Sequence, residues 1–503
     1  MLQRTPCRPT ESIALFIAMA TLAGVATPPA TAKPSGDEAQ PCQVLFREQM
    51  PGSTDGSIPT FGAVRAVRVD PTGACVVFAS LGLMVGTPGP RGLWTLNGGQ
   101  LMGPAAFCST AGFVAGERAL VEWSVGTDLS LATISLLAPP TRGKPVPALN
   151  RSEVSFFRAG TSSGTIVGPI GATVGAGEEI AAYSQIHGPF KDGTLLAMGH
   201  LAKPGDRGVG RCACVIDSRG VRALAFPDGA LRMPDDGSVL IGASASGHIA
   251  VHIPGSFRGA EAHCKLWFVK DGALQPAVAP NGAMPGSSCV PKRGPFDAVG
   301  LQVDEQGRVL ADIEGRLALI GQSAVEFLQG GTAEQAPDAA ATQLIQARSV
   351  YLAPGGRLFT VGRCRDGSTT EWTGLAIWEA GRFHSIVAEG SKVPGTDGRF
   401  EFNRINEAGS VNSDGLVAFS ASTRAVSIVE TLPPPEGIWA GKPGAIKLLV
   451  AQRQKLRLGT EGECEVAEAS LVGPASVTED GGVVVQIRDS GRRRFWVRFN
   501  VSP

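Results

Sequence analysis

A short sequence pattern recurs along this chain, and it constrains the fold more than any other feature. It consists of a small, usually polar residue, two spacers, a glycine, one spacer and three mostly apolar residues. Residues 412–419 (NSDGLVAF) are the clearest copy, and the others lie at residues 70–77, 244–251, 304–311, 353–360 and 478–485. The polar residue bonds its own backbone two positions on, and the glycine supplies the positive φ of a tight turn. The apolar run that follows predicts a strand buried on both faces.

A tryptophan follows the pattern glycine at a steady distance in four of these units. Trp94, Trp267, Trp378 and Trp439 lie between 20 and 24 residues after Gly73, Gly247, Gly356 and Gly415. Each tryptophan leads to a glycine-containing hairpin turn and then to another apolar segment. One unit therefore holds about four strands with the tryptophan in the third, which is the make-up of a β-propeller blade.

The spacing of the pattern predicts the number of units. The gap from Gly73 to Gly247 is about three times the mean of the others, so it should hold two degenerate units, near residues 114–123 and 174–183. We therefore predict eight blades, with seven as the alternative if one of these stretches is an elaborated loop.

The two ends of the chain complement each other. The last unit stops at residues 495–499, its third strand, whereas residues 43–47 resemble a fourth strand with no unit before them. Pairing them would cover an open sheet edge that otherwise invites aggregation. The sequence thus predicts an all-β fold: a single closed β-propeller over residues 42–503, closed by the mature N-terminal strand.

The clearest copy of the pattern also carries a family resemblance. Residues 412–419 match a tandem NxxGxxAF signature in full, and residues 406–409 match it in part. Pro394-Gly395 lies upstream and Gly437-Ile438-Trp439 downstream, as in the exported bacterial proteins named for this repeat, which the chain resembles most over residues 375–450. The resemblance implies a propeller-like repeat protein and supplies no activity.

The first residues have the features of an export signal. Arg4 and Arg8 precede an apolar run at residues 13–23, and the small residues Ala30-Thr31-Ala32 follow it. We predict a signal peptide over residues 1–32, cleaved after Ala32, and a flexible linker over residues 33–41. The mature chain has no other apolar run of membrane-spanning length. It should therefore be secreted, periplasmic or displayed on the cell surface.

Charge and composition narrow the classes of partner. The 45 basic residues balance 45 acidic ones, so nothing favours binding to nucleic acid. Our first hypothesis is a binding or scaffolding propeller outside the cytoplasm, for a protein or glycan ligand. The alternative is a propeller-based hydrolase or lyase acting on extracellular polysaccharide, because catalytic residues can converge from separate blades.

No local motif assigns catalytic, cofactor-binding or metal-binding residues. Residues 160–164 (GTSSG) match a hydrolase nucleophile elbow, but the sequence after them cannot form the helix which that elbow requires. His248 and His252 lie on one predicted strand without a third ligand nearby. We therefore predict no cofactor.

Nine cysteines follow the predicted signal peptide, which is an odd number for an exported chain. Cys264 and Cys289 flank one tryptophan hairpin, and Cys42 and Cys464 lie near the two ends of the last unit. These are the two candidate disulfide pairs. Cys212 and Cys214 point to one face of a predicted strand, where packing accounts for them better than a metal site does.

Overall fold

The computed structural model describes the following residues: 42–48, 61–69, 75–81, 91–97, 100–108, 118–125, 130–137, 152–158, 164–175, 177–190, 192–202, 210–233, 239–244, 246–253, 266–270, 272–277, 289–291, 301–313, 316–328, 342–352, 357–365, 371–379, 382–427, 436–472 and 476–501. The predicted signal peptide and linker lie outside these ranges. The described residues contain strands and one short 3-10 turn, Gly459–Glu461, and no α-helix. The all-β prediction is confirmed for this part of the chain.

The described strands number 34 and form eight antiparallel sheets. The first half of the chain contains β1 (Cys42–Arg47), β2 (Phe61–Val69), β3 (Cys75–Leu81), β4 (Arg91–Asn97), β5 (Gln100–Cys108), β6 (Arg118–Val125), β7 (Leu131–Leu137), β8 (Ser152–Phe157), β9 (Thr165–Gly168), β10 (Thr173–Gly175), β11 (Glu178–His187), β12 (Leu195–Ala202), β13 (Gly210–Asp217), β14 (Gly220–Ala223), β15 (Leu240–Ala243), β16 (Ile249–His252), β17 (Leu266–Lys270) and β18 (Ala273–Pro276). The second half contains β19 (Cys289–Pro291), β20 (Val309–Ile313), β21 (Arg316–Ile320), β22 (Val325–Phe327), β23 (Gln343–Leu352), β24 (Leu358–Arg365), β25 (Glu371–Glu379), β26 (Arg382–Ala388), β27 (Phe400–Val411), β28 (Val417–Ala425), β29 (Glu436–Gly441), β30 (Lys447–Ala451), β31 (Lys455–Arg457), β32 (Glu463–Leu471), β33 (Gly482–Asp489) and β34 (Arg494–Asn500).

Each sheet is a run of consecutive strands, and we number the sheets 1 to 8 along the chain. They comprise β2–β5, β6–β9, β10–β14, β15–β18, β19–β22, β23–β26, β27–β30 and β31–β34, the last with β1 added beside β34. Sheets 2 and 3 occupy the long gap between Gly73 and Gly247, where two degenerate units were expected. The tryptophans that mark the units lie in the third strand of their four-stranded sheets, also as expected.

The recurring turn joins the first strand of a sheet to the second, and in sheet 8 it joins β32 to β33. Asn412 is buried, and its side-chain oxygen accepts hydrogen bonds from the backbone N–H groups of Asp414, at 3.1 Å, and Leu416, at 2.9 Å. Asp304 does the same for Gln306 and Arg308. In each turn the side-chain oxygen accepts a hydrogen bond from the backbone N–H four residues further along the chain. Asn, Asp, Ser and Thr can all occupy the first pattern position, since each offers an acceptor oxygen. Pattern residues 70–74 and 353–356 lie outside the described ranges.

Consecutive sheets pack face to face through shared apolar cores. Separate clusters join sheets 2 and 3, 3 and 4, 4 and 5, 5 and 6, 6 and 7, and 7 and 8. The middle strands are covered on both faces, which explains their nearly continuous apolar sequences; Val483, Val484 and Val485 are fully buried, for example. This serial packing of short antiparallel sheets is propeller-like.

Polar side chains also link neighbouring sheets. Gln302 accepts a hydrogen bond from the backbone N–H of Leu352, at 2.8 Å, and donates one to the backbone oxygen of Val350, at 3.4 Å. Gln185 likewise donates to the backbone oxygen of Val239 in the next sheet, at 3.2 Å. These bonds satisfy backbone groups at the joints between sheets and fix the position of one sheet against the next.

The N-terminal strand pairs with the C-terminal one. β1 lies antiparallel to β34, with Val44 opposite Val497 and Arg47 opposite Phe495. Phe46 is fully buried and stacks on Trp496, with ring centroids 4.4 Å apart and planes 12° from parallel. This pairing agrees with the expected place of residues 43–47 as the missing fourth strand.

Sheet 8 differs from a simple four-stranded blade. It has five strands and curls into a half-barrel, so that its two edge strands approach each other. Arg47 of β1 forms an ion pair with Glu461, at 2.9 Å, just after β31. The Cys42 thiol lies 3.6 Å from the backbone oxygen of Arg457 on the same side. The sequence did not predict this curl.

Candidate binding surface

Two long strands, β27 of sheet 7 and β11 of sheet 3, repeat with a period of three residues. In β27, Phe402, Ile405 and Val411 are buried and belong to one core cluster. In β11, Ile180 and Tyr183 are buried in the same way, together with Ile186. A flat strand alternates with a period of two, so these strands must be irregular.

The irregularity is a series of β-bulges. The pairing of β11 with β12 shifts register twice, that of β23 with β24 twice, and that of β27 with β28 three times. At each shift β11, β23 or β27 carries one more residue than the strand with which it pairs. A bulge bends the strand and re-aims the extra side chain. Here the extra residues include Ser184, Arg348, Asn403 and Asn406, and all four are exposed.

The bulged strands of sheets 6 and 7 together present a polar surface, which we call the inner-strand patch. Its members are exposed except for Glu389, which is half-buried: Gln346, Arg348, Glu389, Asn403, Arg404 and Asn406. Glu389 connects the two sheets, because its carboxylate lies 3.4 Å from the Arg348 guanidinium and accepts a hydrogen bond from the backbone N–H of Ile405, at 3.2 Å. Arg348 is thereby held beside β27.

The charges of the inner-strand patch do not cancel. Arg348 and Arg404 supply two positive charges, and Glu389 supplies one negative charge. Within the described ranges Arg404 forms no ion pair. Its guanidinium offers a planar set of donors that fits a carboxylate in two-point contact. The neighbouring side-chain amides of Asn403 and Asn406 add neutral donors and acceptors.

A serine–histidine pair joins the bulged strand β11 to its neighbour β12. Ser184 is the extra residue of a bulge in β11, and its hydroxyl lies 3.0 Å from Nε2 of His200 on β12. Burial, and next the positive charge of Arg211, lower the pKa of His200. The imidazole is therefore neutral at pH 7 and can accept the serine proton. This is the contact that a nucleophile makes with its general base.

The motifs considered in the sequence analysis contribute neither to the inner-strand patch nor to the Ser184–His200 pair. Gly164 is followed directly by β9, so the GTSSG segment lacks the helix of a hydrolase elbow. His252 lies on β16 and is buried. Within the described parts of the chain, no group of three or more His, Cys, Asp and Glu side chains is arranged to hold a metal ion.

The cysteine side chains that the structure describes form no disulfide bond. They are Cys42, Cys212, Cys214, Cys364 and Cys464. Cys212 and Cys214 are fully buried with their sulfur atoms 3.3 Å apart, on one face of β13 as expected. Cys264 lies outside the described residues, and Cys289 begins β19 in the sheet after that of Trp267. Cys42 packs against the core cluster that contains Cys464.

The sequence analysis missed both the inner-strand patch and the Ser184–His200 pair. A period of three in a strand was the signal for the patch: Phe402, Ile405, Ala408 and Val411 show it in the bare sequence. The contact between Ser184 and His200 has no such signal, since it depends on the register of two strands.

These features define an all-β chain with propeller-like sheets. The family of unknown function DUF7453 matches residues 304–493. A comparison with curated proteins gives no match. In the described parts of the chain no helix is long and apolar enough to cross a membrane.

Several propellers are among the similar solved structures. The β-propeller domain of the trilobed protease from Pyrococcus furiosus, described as having an open velcro topology, is 12% identical with a TM-score of 0.36, over 78% of this chain and 97% of that one. The Dos1 propeller is 8% identical with a TM-score of 0.32, over 91% and 95% of the two chains. The α-L-arabinanase of Penicillium chrysogenum in complex with arabinobiose is 12% identical with a TM-score of 0.28, over 68% and 98%. Similarity this distant carries no function across.

Proposed function

We propose that this chain is an exported, closed eight-bladed propeller that binds an extracellular glycan through the inner-strand patch. In such a ring the first strands of the blades surround the central channel, and β1 completes the last blade. The NxxGxxAF repeat family, the signal peptide over residues 1–32 and the location outside the cytoplasm are parts of this proposal.

The observation that carries the proposal is the pair of exposed arginines on bulged strands of neighbouring sheets, one of which, Arg348, is held by the Glu389 carboxylate. Glu389 fixes Arg348 and bonds the backbone of Ile405, so the patch is pre-organised and loses little entropy on binding. The guanidinium of Arg404, on the neighbouring strand β27, stays available to bind a ligand. A rigid polar surface of this kind binds ligands through hydrogen bonds.

The chemistry of the patch favours a glycan that carries carboxylates. A guanidinium pairs with a carboxylate through two parallel hydrogen bonds, and the amides of Gln346, Asn403 and Asn406 match sugar hydroxyls. The excess positive charge of the patch favours an acidic sugar over a neutral one. Its binding should weaken as salt rises, because exposed charges are screened.

A glycan array with the exported chain tests the proposal. We expect binding to uronic-acid glycans, and Arg404→Ala should weaken it about tenfold or more, the usual loss for a charged hydrogen bond. Arg219→Ala is the matched control, since Arg219 is an exposed arginine in a turn of sheet 3. Binding that Arg404→Ala leaves unchanged, or an array without any bound acidic glycan, contradicts the proposal.

The alternative function is hydrolysis of an ester group on a polysaccharide. It rests on the Ser184–His200 contact, with Ser184 as nucleophile and neutral His200 as base. A fluorophosphonate probe tests it, because this reagent labels activated serines. Labelling at Ser184 that His200→Gln abolishes supports a hydrolase. An unlabelled Ser184 in the folded chain counts against one.

A further inference from the structure

The curl of sheet 8 brings two distant cysteines into one apolar cluster. Cys464 is buried on β32 among residues of sheets 7 and 8, and Cys42 on β1 packs against the same cluster. The two residues are close to opposite ends of the chain, yet the half-barrel brings β1 towards the hairpin of β31 and β32.

Hydrogen bonding shows how the two residues approach each other. In the hairpin of β31 and β32, Cys464 lies directly opposite Leu456. The Cys42 thiol reaches the backbone oxygen of Arg457, the residue next to Leu456, at 3.6 Å. The Arg47–Glu461 ion pair holds the other end of β1 against the same hairpin. The Cys42 thiol thus contacts the residue that follows Leu456, and Leu456 is the residue directly opposite Cys464.

We propose that Cys42 and Cys464 form a disulfide bond after export, which fastens the N-terminal strand covalently to the last sheet. The proposal goes beyond glycan binding and is independent of it. A sulfur–sulfur bond forms while each thiol loses its proton. The two electrons pass to an oxidising protein or small-molecule disulfide, which is reduced to two thiols.

The surroundings of the two thiols bear on when the bond forms. Burial raises the pKa of the Cys42 thiol, and burial together with the charge of Asp489 raises the pKa of Cys464 to about 11. The thiolate is the attacking species in disulfide exchange, so both groups react slowly at neutral pH once β1 has docked. We therefore expect oxidation to accompany folding, and the finished bond to resist exchange.

Peptide mapping of the exported full-length chain tests the proposal. The chain is denatured in an alkylating reagent without reductant and then digested. We expect one linked peptide pair containing Cys42 and Cys464, with alkylated Cys364 as the internal control for a buried cysteine outside this pair. Alkylation of both Cys42 and Cys464, or linkage of Cys42 to another cysteine, overturns the proposal.

A second measurement asks whether the bond fastens β1. The melting temperature of the wild-type chain should fall further on addition of reductant than that of Cys464→Ser, in which only a bond between other cysteines, such as Cys264 and Cys289, could respond. This comparison is made within each protein, so a lower starting stability of the variant does not confuse it. A wild-type melting temperature that is indifferent to reductant counts against the proposed role.

Discussion

Asn412 donates a hydrogen bond from its side-chain nitrogen to the backbone oxygen of Thr478, over 3.1 Å, and the two residues occupy the same position in consecutive repeats. One residue further on, the backbone N–H of Ser413 is bonded by the Glu479 carboxylate. A similar link joins Ser246 to Glu305 between sheets 4 and 5. The repeat signature therefore does two things at once, since it shapes its own turn and ties that turn to the next sheet.

We expect the two roles of Asn412 to separate in mutants. Asn412→Ala loses the turn bonds and the inter-sheet bond and should cost about 2–3 kcal/mol of unfolding free energy, because buried backbone groups are left unpaired. Asn412→Ser keeps an acceptor for the turn, as Ser244 does in its own repeat, and should cost about 1 kcal/mol less. Urea denaturation of both variants checks this order. Equal losses would show that the acceptor for the turn contributes nothing, because that is the only interaction that Ser keeps and Ala loses.

The period of three in β27 makes a second prediction. Phe402 and Ile405 are both buried in one core cluster, whereas a period of two would place them on opposite faces of the strand. Ile405→Ala should cost about 2–5 kcal/mol, the usual range for a buried isoleucine. Asn406→Ala, at the exposed bulge position beside it, should stay within about 0.5 kcal/mol of the wild type. Similar effects of both substitutions on thermal unfolding would contradict the bulged register.

The pH dependence of stability should carry a signature of His187. Burial lowers the pKa of His187 to about 4, below its unfolded value of about 6.5. The neutral form is favoured in the fold, so its contribution is complete above pH 6.5 and is lost as pH falls towards 4. The loss has an upper limit of about 3 kcal/mol.

The matched variant for this prediction is His187→Gln, which cannot titrate. Chemical denaturation at several pH values between 4 and 7 should show a shallower slope for the variant than for the wild type. Identical slopes would mean that His187 gains its proton equally easily in the folded and unfolded chains.

Much of the fold was predictable because its signals are local. The turn after each first strand needs an acceptor side chain and a glycine with positive φ, and Gly247, Gly307, Gly415 and Gly481 all have φ between 76° and 89°. The tryptophans mark third strands because each fills the space between two sheets. The place of residues 43–47 followed from an omission at the other end of the chain.

The rest depends on contacts that no local pattern records. The bulges of β11 and β27 replace the period of two by a period of three. This period matches neither the alternation expected of a strand nor the 3.6-residue repeat of a helix. The inner-strand patch needs Glu389 to reach from the end of sheet 6 to β27. The half-barrel of sheet 8 joins residues more than 400 positions apart, such as Arg47 and Glu461.

Packing at the N-terminal strand makes a further prediction. Phe46 is fully buried against Trp496, and Phe46→Ala should cost about 3–5 kcal/mol, as for other buried phenylalanines. Gln43→Ala, on the same strand and exposed, is the control and should be nearly neutral. If thermal unfolding of Phe46→Ala matches that of Gln43→Ala, then β1 contributes little to the fold.

Hydrogen exchange of β1 tests most directly whether the N-terminal strand closes the propeller. The backbone amides of Val44 to Arg47 that pair with β34 should exchange as slowly as those of β33, because opening them would require the last sheet to open. The measurement uses the full chain under native conditions, with peptide-resolved mass spectrometry. The predicted result is slow exchange in β1, together with a loss of protection in β34 when residues 42–48 are deleted. Exchange of Val44 to Arg47 at the rate of a free tail, while β33 and β34 stay protected, would contradict closure of the ring by this strand.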